Sequence, residues 1–332
     1  MFDTNARIHN PLARREMLRH MRALADMGYS GFELHIGREP ATEHAFATLD
    51  AEVQAYAELR SQLDSAGMSQ VELATNVGAT PACDPSSPDS IVQRGALEFL
   101  KSRVDITAAL RGSIMMGPVV VPYGAFIKDV WSDQLQDALQ QRYQNAAPVL
   151  TELGHHAELR GVRIAIEPIT HWETPGPNTL QQLLSFLDLV EPTSIGIVID
   201  SAHETLDGSG PEIFAQQVQE FVKRSRLHYV QVSAPDRGDL ARSWMPWEGF
   251  LGPVLPLYQG PIAIEVFNAL PAFAAGLRLS RRKFWVPGVD GPSDGPSAYD
   301  IAQTALARLR TEFASLEPHV IQRNNLADNQ AS

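Results

Sequence analysis

Short apolar runs alternate with longer amphipathic segments along most of the chain. The runs have the length of buried strands, and the longer segments repeat their apolar residues at helical spacing. The strand-like runs are 31–36, 71–77, 113–121, 162–169, 195–201, 227–234 and 261–267. Because helix-length segments separate them, this order predicts parallel strands joined by crossover helices.

An eight-stranded barrel needs one more strand, and only residues 1–9 are available for it. Phe2 and Ile8 are the large apolar residues of that segment after the start, so this strand is expected to be short or irregular. We therefore predict an α/β fold of the (β/α)8 TIM-barrel class, with one domain at 1–320 and a polar tail at 321–332. A doubly wound open sheet is the alternative, but no G-x-G-x-x-G turn follows a strand.

The composition narrows the possible partners. A formal net charge of -12 argues against sequence-independent binding of nucleic acid, which requires clustered Lys and Arg. The basic run Arg281, Arg282 and Lys283 is interpreted as a solvated turn.

The chain contains one cysteine, Cys83. An internal disulfide and a thiolate zinc cluster are therefore excluded. No apolar run reaches the ~20 residues needed to cross a bilayer, and the N-terminal segment lacks the apolar stretch of a signal peptide. These features predict a cytoplasmic protein with no membrane partner.

Four late strand-like runs each carry a ligand-type side chain: Glu167, Asp200, Gln231 and Glu265, separated by 33, 31 and 34 residues. One β/α unit has about this length, so the four would occupy equivalent places at the C-terminal rim of a barrel. Buried carboxylates are costly unless they are paired or bind a metal ion. Oxygen ligands favour Mn²⁺, with Mg²⁺ or Co²⁺ as alternatives. The competing interpretation is that each acid pairs separately with an arginine or caps the following helix.

Further polar and aromatic side chains occur within a few residues after the four ligand-type positions in the sequence. They could line a pocket of sugar size, because carboxylates and arginine bind hydroxyl groups and flat aromatic rings cover the apolar face of a sugar. Glu33 and His35, on an early strand, could reach the same rim or form a buried hydrogen-bonded pair. The residues expected to contact substrate are His171, Trp172, Glu173, His203 and Arg237.

Several segments resemble the sugar isomerase/epimerase superfamily, which includes xylose isomerase-like barrels, and specifically its D-tagatose 3-epimerase-like branch. They are MRALADMGYSGFEL, IEPITHWETPGPNT, VIDSAHE, HYVQVSAPDRG and IEVFN. The resemblance implies that the metal ligands Glu, Asp, His and Glu fall on Glu167, Asp200, Gln231 and Glu265. Gln231 departs from the family pattern, and related dehydratase branches are similar in using Gln there.

The resemblance also implies substrate contacts at Glu173, His203 and Arg237, and proton abstraction beside a ketone through an enediolate. Glu167 and Glu265 are the expected catalytic acid and base. The leading hypothesis is a metal-dependent isomerase or epimerase acting on a small sugar, a ketose or keto-sugar. We expect a homo-oligomer as the assembly, with a hetero-oligomer as the alternative. The alternative is a lyase on the same scaffold, either a keto-polyol dehydratase or an enzyme that cleaves a 3-keto glycoside. A non-catalytic barrel and a nuclease are disfavoured by the retained acids and by the acidic charge.

Overall fold

A computed structural model describes residues 2–3, 8, 10–37, 48–125, 133–266, 284–288, 291–292 and 294–330. The basic run Arg281, Arg282 and Lys283 and the end of the last predicted strand, Phe267, lie outside the described residues. The chain divides into two compact units. The first unit comprises Met1–Ile199 and Phe221–Val230, and the second unit comprises Asp200–Glu220 and Gln231–Ser332.

Strands and helices alternate through the described chain. The strands are β1 Phe2–Asp3, β2 Gly31–His35, β3 Glu72–Asn76, β4 Ile114–Gly117, β5 Arg163–Ile166, β6 Ile195–Asp200, β7 Leu227–Val232 and β8 Ile262–Ile264. The helices are α1 Pro11–Asp26, α2 Leu49–Ser65, α3 Ser90–Ala109, α4 Asp133–Arg160, α5 Leu180–Leu187, α6 Ser201–Asp207, α7 Pro211–Lys223, α8 Trp247–Val254 and α9 Ala298–Gln330.

The strands follow one another in the sheet in the order β1 to β8. The pairs from β1 to β6 are parallel, and β2 pairs with β3 from Gly31 opposite Glu72 to His35 opposite Asn76. This is the strand order of a (β/α)8 barrel, so the predicted fold class is confirmed. The first strand is as short as its few apolar residues predicted.

Two helices differ from the sequence prediction. Helix α6 begins directly after β6 and occupies a segment where no helix was expected. Helix α9 continues to Gln330 and so includes residues 321–330 of the segment predicted as a polar tail. Within the described residues, no helix is both long enough and apolar enough to cross a membrane.

Strand β4 ends earlier than its apolar run suggests, and Gly117 explains why. This residue has a φ of 134°, a backbone conformation that favours glycine. A Cβ at this position would lie 2.1 Å from the carbonyl oxygen of Val77. The chain therefore needs glycine here to leave the sheet close to the end of β3.

In the first unit, buried polar side chains bind backbone groups around β5, β6 and β7. The guanidinium group of Arg226 donates to the carbonyl oxygens of Val190, Glu191, Pro192 and Ile195. These carbonyl groups belong to the loop between α5 and β6 and to the first residue of β6. Their hydrogen bonds satisfy polar groups that would otherwise be buried at a cost.

His228 lies beside Arg226 and is also buried. Its Nδ1 is 3.1 Å from the carbonyl oxygen of Ile164, and its Nε2 is 3.2 Å from the carbonyl oxygen of Ser225. Burial lowers the pKa of His228 to about 4, with the nearby positive charges of Arg163 and Arg226 acting in the same direction. In the pH range in which this histidine is protonated in the unfolded chain, the folded protein therefore keeps the imidazole of His228 neutral.

The low pKa of His228 predicts a loss of stability in mild acid. Between pH 6.5 and 4 the unfolded state binds a proton that the folded state does not, so the free energy of unfolding falls as the pH decreases. The expected loss by pH 4 is about 3 kcal/mol. Urea unfolding at several pH values should show a flatter pH dependence in His228→Gln. The exposed His155 gives the control, and the same flattening in His155→Gln would contradict the assignment.

Candidate metal centre

Asp200 is the last residue of β6 and the N-cap of α6. Its Oδ1 accepts a hydrogen bond of 2.9 Å from the backbone N–H of Ala202 and a short one from the hydroxyl of Ser233. The cap satisfies one of the free N–H groups at the start of the helix. Asp200 is thus fixed by the local structure, and Oδ2 remains for other contacts.

Ser233 follows Gln231 by two positions, and residues at this spacing in a strand share one face of the sheet. The backbone N–H of Ser233 donates to the hydroxyl of Ser201 at 2.8 Å, and that hydroxyl donates to the carbonyl oxygen of Ser233 at 2.7 Å. These two bonds tie the start of α6 to the chain after β7. Ser233 was not among the residues predicted for the site, although its spacing from Gln231 could have indicated it.

The guanidinium group of Arg237 joins the acidic residues of the second unit. Its Nη1 donates to Asp200 Oδ2, to Ser233 Oγ at 2.7 Å and to Glu265 Oε2 at 2.8 Å. Its Nη2 lies 2.7 Å from Nε2 of His203. One cationic side chain therefore contacts two carboxylates and an imidazole.

His203 lies beside both Arg237 and Asp200. Its Nε2 is 2.7 Å from Nη2 of Arg237 and 3.6 Å from Asp200 Oδ2. A guanidinium nitrogen can only donate, so it needs an acceptor on the ring, whereas the carboxylate forms an ion pair with the ring only when the ring is protonated. The same ring nitrogen therefore faces a cation and an anion.

The backbone of Arg237 is also unusual. Its φ of 58° lies in the left-handed region, which residues other than glycine adopt rarely and at a cost of about 1–3 kcal/mol. The backbone N–H donates to the carbonyl oxygen of Ala234 at 2.7 Å, closing a tight turn after β7. Such strain persists where other contacts hold the residue, and here the contacts are those of its guanidinium group.

Burial and charge act in opposite directions on Asp200. Its side chain is 1% exposed, and burial alone would raise the pKa of the carboxyl group. The charges of Arg237 and His203 and the hydrogen bonds from Ser233 and Ala202 outweigh burial and hold the pKa of Asp200 below its ordinary value. Asp200 is therefore ionised at neutral pH in the absence of a metal ion.

The other two predicted ligands of the second unit are buried as well. Gln231 lies within β7 and is 0% exposed. Glu265 follows β8, and its backbone N–H donates to the carbonyl oxygen of Val232 at 2.9 Å, which aligns the end of β8 with the end of β7. Two carboxylates, Asp200 and Glu265, thus share one guanidinium charge.

Glu167 belongs to the first unit and follows β5. It is buried, and its backbone N–H donates to the carbonyl oxygen of Gly117 at 3.0 Å. Glu167, Asp200 and His203 are all buried, and each offers an oxygen or nitrogen atom of the kind that binds a metal ion. Glu33, on β2, accepts a hydrogen bond of 3.1 Å from the side chain of Asn76.

The loop after β5 carries the remaining predicted contacts. The hydroxyl of Thr170 donates to Glu173 Oε2 at 2.8 Å, and the backbone N–H of Gly124 donates to the carbonyl oxygen of Glu173 at 2.8 Å. The rings of His171 and Trp172 lie 4.6 Å apart, and both side chains are exposed. Three of the predicted substrate contacts therefore lie on one loop of the first unit: His171, Trp172 and Glu173.

Removing the charge of Arg237 should destabilise the metal-free protein. Asp200 and Glu265 would then be buried without a cation, so Arg237→Met is expected to cost about 3 kcal/mol. Thermal unfolding in EDTA measures this loss, and Mn²⁺ should reverse part of it because the ion replaces the missing positive charge. The exposed Arg242 gives the matched control, Arg242→Met. Equal melting temperatures for the two variants in EDTA would show that Arg237 does not compensate the acids.

Comparison with known proteins identifies the family of this chain. The chain matches the family model of xylose isomerase-like TIM barrels over residues 21–283. A protein of known structure from Anabaena variabilis, described as a candidate sugar phosphate isomerase/epimerase, is 50% identical, with a TM-score of 0.88 over 95% of this chain and 98% of that chain.

Two ketose epimerases are more distant relatives. An L-ribulose 3-epimerase from Methylomonas sp. (strain DH-1) is 25% identical over 195 residues, which are 58% of this chain and 64% of that protein, so the match spans less than two thirds of the relative. A D-allulose 3-epimerase from Methylomonas sp. shares the fold, with a TM-score of 0.69 at 21% identity over 91% of this chain and 92% of that chain. The chain belongs to the family of xylose isomerase-like TIM barrels, as its sequence segments predicted.

Proposed function

We propose that this protein is a divalent-metal-dependent isomerase or epimerase that acts on a ketose or keto-sugar. The observation that carries this proposal is the buried group of Asp200, Glu265 and Arg237, in which two carboxylates share one guanidinium. The L-ribulose 3-epimerase relative supports the reaction class. The match covers only part of that relative, so the activity and the substrate of this chain are both part of the proposal.

The residues present fit a metal ion. Asp200 and Glu265 are both buried and share one guanidinium group, and buried carboxylates are costly unless they are paired or bind a cation. We propose that Glu167, Asp200, Gln231 and Glu265 hold the ion. Three carboxylates and an amide oxygen form a hard donor set, which suits Mn²⁺, Mg²⁺ or Co²⁺ better than a soft metal.

When bound, the ion would act as a Lewis acid that polarises the substrate carbonyl. In our proposal Glu167 and Glu265 are the acid and base that remove a proton beside the carbonyl and return one to the product. Returning the proton to the opposite face of the same carbon gives epimerisation, and returning it to the neighbouring carbon gives isomerisation. Burial of both carboxylates excludes water, which strengthens their interactions with the reacting atoms.

We assign substrate positioning to His203, Arg237 and Glu173, with His171 and Trp172 beside them. The imidazole of His203 has ring nitrogens of the kind that bind substrate hydroxyl groups. The guanidinium group of Arg237 presents its donors in a fixed planar geometry that suits hydroxyl or carbonyl oxygens. The cytoplasmic location and the homo-oligomeric assembly stay predictions from the sequence.

A lyase on the same scaffold is the second candidate. Gln231 supplies a neutral amide where the resemblance implies histidine, and it is fully buried in β7. The first half of the reaction, proton removal beside the carbonyl, is the same for both candidates. The outcome depends on whether a proton returns to carbon or a neighbouring substituent leaves.

Turnover in D₂O separates the two candidates. An epimerase or isomerase should place one solvent deuterium on carbon in the product, whose composition is otherwise that of the substrate. Mass spectrometry and proton NMR of ketohexose and 3-keto-sugar reactions measure this incorporation. Loss of water or of an aglycone, without such a labelled isomer, would contradict the epimerase proposal and support the lyase.

The metal proposal predicts a defined metal content. Purified wild-type protein should bind about one divalent ion per chain, and Glu265→Gln should bind much more weakly because a carboxylate ligand becomes a neutral amide. Elemental analysis and calorimetric titration with Mn²⁺ measure both quantities. The control is Glu248→Gln, which changes an exposed glutamate of α8 in the same unit. Unchanged Mn²⁺ affinity in Glu265→Gln would remove Glu265 from the ligand set.

A further inference from the structure

The last two residues of β3, Thr75 and Asn76, point to opposite faces of the sheet, because successive side chains of a strand alternate. The hydroxyl groups of Thr75 and Thr107 lie 2.7 Å apart, and Thr107 belongs to α3. Thr75 therefore faces the helix that covers this side of the sheet. Asn76 lies on the face turned away from α3, which we call the inner face.

A glutamate of the neighbouring strand lies on the same inner face. Glu33 is paired with Ala74 in the parallel ladder of β2 and β3, and Ala74 precedes Asn76 by two positions. The side-chain nitrogen of Asn76 donates to Glu33 Oε1 at 3.1 Å. Glu33 is 8% exposed and Asn76 is 7% exposed. The two side chains thus form a buried carboxylate–amide pair on the inner face.

The register of the next strands places Glu167 on the inner face as well. Asn76 is paired with Met116 of β4, and Met116 is paired with Ala165 of β5. Glu167 follows Ala165 by two positions, and its backbone N–H donates to the carbonyl oxygen of Gly117 at 3.0 Å, which continues the ladder past β5. The carboxylate–amide pair and Glu167 therefore share one face of one sheet, and all of these residues belong to the first unit.

The spacing of the strands gives the separation of these polar groups. Neighbouring strands lie about 4.8 Å apart, so the backbones of β3 and β5 are separated by about 10 Å. Met116 lies between them on the inner face and is fully buried. The inner face thus carries polar groups at two places with an apolar side chain between them, over a distance comparable to the length of an extended six-carbon sugar with its hydroxyl groups.

An aromatic ring lies over the inner face just beyond Asn76. Gly78 follows Asn76 by two positions, and the backbone N–H groups of its two chain neighbours donate to the carbonyl oxygens of Met116 and Pro118. A Cβ at Gly78 would lie only 2.6 Å from Cε2 of Tyr123. The ring of Tyr123 therefore occupies the space that a side chain at position 78 would fill. A flat aromatic ring beside polar groups suits the apolar part of a sugar.

The chemistry of the carboxylate–amide pair suits hydroxyl groups. The carboxylate of Glu33 accepts hydrogen bonds, and the amide of Asn76 both donates and accepts them. Sugar hydroxyl groups also donate and accept. A glutamate is rarely buried unless it is paired, and apolar side chains of similar volume often stabilise a fold as well as a buried polar pair does. A role in binding accounts for the presence of these two polar residues in the sheet.

We propose that Glu33 and Asn76 bind the terminal hydroxyl group of the keto-sugar, at the end of the carbon chain remote from the carbonyl group. The inference rests on the proposed function, in which Glu167 transfers a proton beside that carbonyl group. Glu33 and Asn76 take no part in the proton transfer. They determine specificity, because they select a ketohexose by its O6 hydroxyl group.

Ketohexoses that lack one hydroxyl group test this assignment. With Mn²⁺, we expect wild-type kcat/KM to be about tenfold lower for 6-deoxy-D-fructose than for D-fructose, because the buried pair loses its partner. Asn76→Ala should lower this ratio to about two. Glu33→Gln should lower it to about three, because a hydrogen bond to a charged acceptor is about twice as strong as one to a neutral acceptor. The ratio of D-fructose to 1-deoxy-D-fructose should stay at its wild-type value in both variants.

The matched control is Thr75→Val, which changes the neighbouring residue on the opposite face of β3 and should retain all wild-type ratios. If Asn76→Ala and Glu33→Gln lower kcat/KM equally for the three ketoses, the pair is structural and the assignment is wrong. Thermal unfolding checks that each variant is folded. Asn76→Ser, which keeps a polar side chain, replaces Asn76→Ala if that variant does not fold, and the same lower ratio is expected.

Calorimetric titration keeps the two proposals apart. Binding of D-fructose and 6-deoxy-D-fructose to the Mn²⁺-loaded protein can be compared without any product, so the affinity ratio reports the terminal contact whichever reaction follows. A wild-type ratio of about ten that falls in Asn76→Ala supports the inference even if turnover in D₂O identifies a lyase. Equal wild-type affinities for the two sugars, or no binding of D-fructose, overturn the inference, whereas deuterium incorporation would still support the epimerase proposal.

Discussion

The contact of Arg237 with Asp200 and Glu265 is the interaction on which the candidate site depends. Two buried carboxylates repel each other, and leaving either without a cation would cost several kcal/mol. A single guanidinium nitrogen contacts both acids and Ser233 as well. Arg237 adopts a positive φ in this arrangement. This backbone conformation is unfavourable, and the side-chain contacts hold it in place. Arg237 therefore holds Asp200 and Glu265 close together before any metal ion binds.

Much of the fold was predictable because hydrophobic spacing reports burial directly. The strand-like runs and their regular separation predicted parallel β/α units, and the few apolar residues before Asn10 predicted a short first strand. The end of β4 was not predictable in the same way, since it depends on the approach of Gly117 to the carbonyl group of Val77. Such a contact joins residues of different strands and leaves no periodic signal.

The candidate site could be predicted only in part. Glu167, Asp200, Gln231 and Glu265 could be selected because polar side chains interrupt apolar runs at equal spacing. The competing interpretation, in which an acid caps a helix or pairs with an arginine, holds for Asp200, which does both. Ser233 and helix α6 were missed because a serine directly after a strand and a helix of 7 residues carry little signal of their own.

The dual role of Asp200 limits how the site can change during evolution. One carboxylate oxygen caps α6 through Ala202 and the other contacts Arg237. A longer acid at this position would move the carboxylate away from the helix N-terminus, so a single substitution would disturb both the helix and the charge balance. Substitutions that change the metal preference or the reaction outcome are therefore easier to accommodate at positions whose side chain does not also cap the N-terminus of a helix.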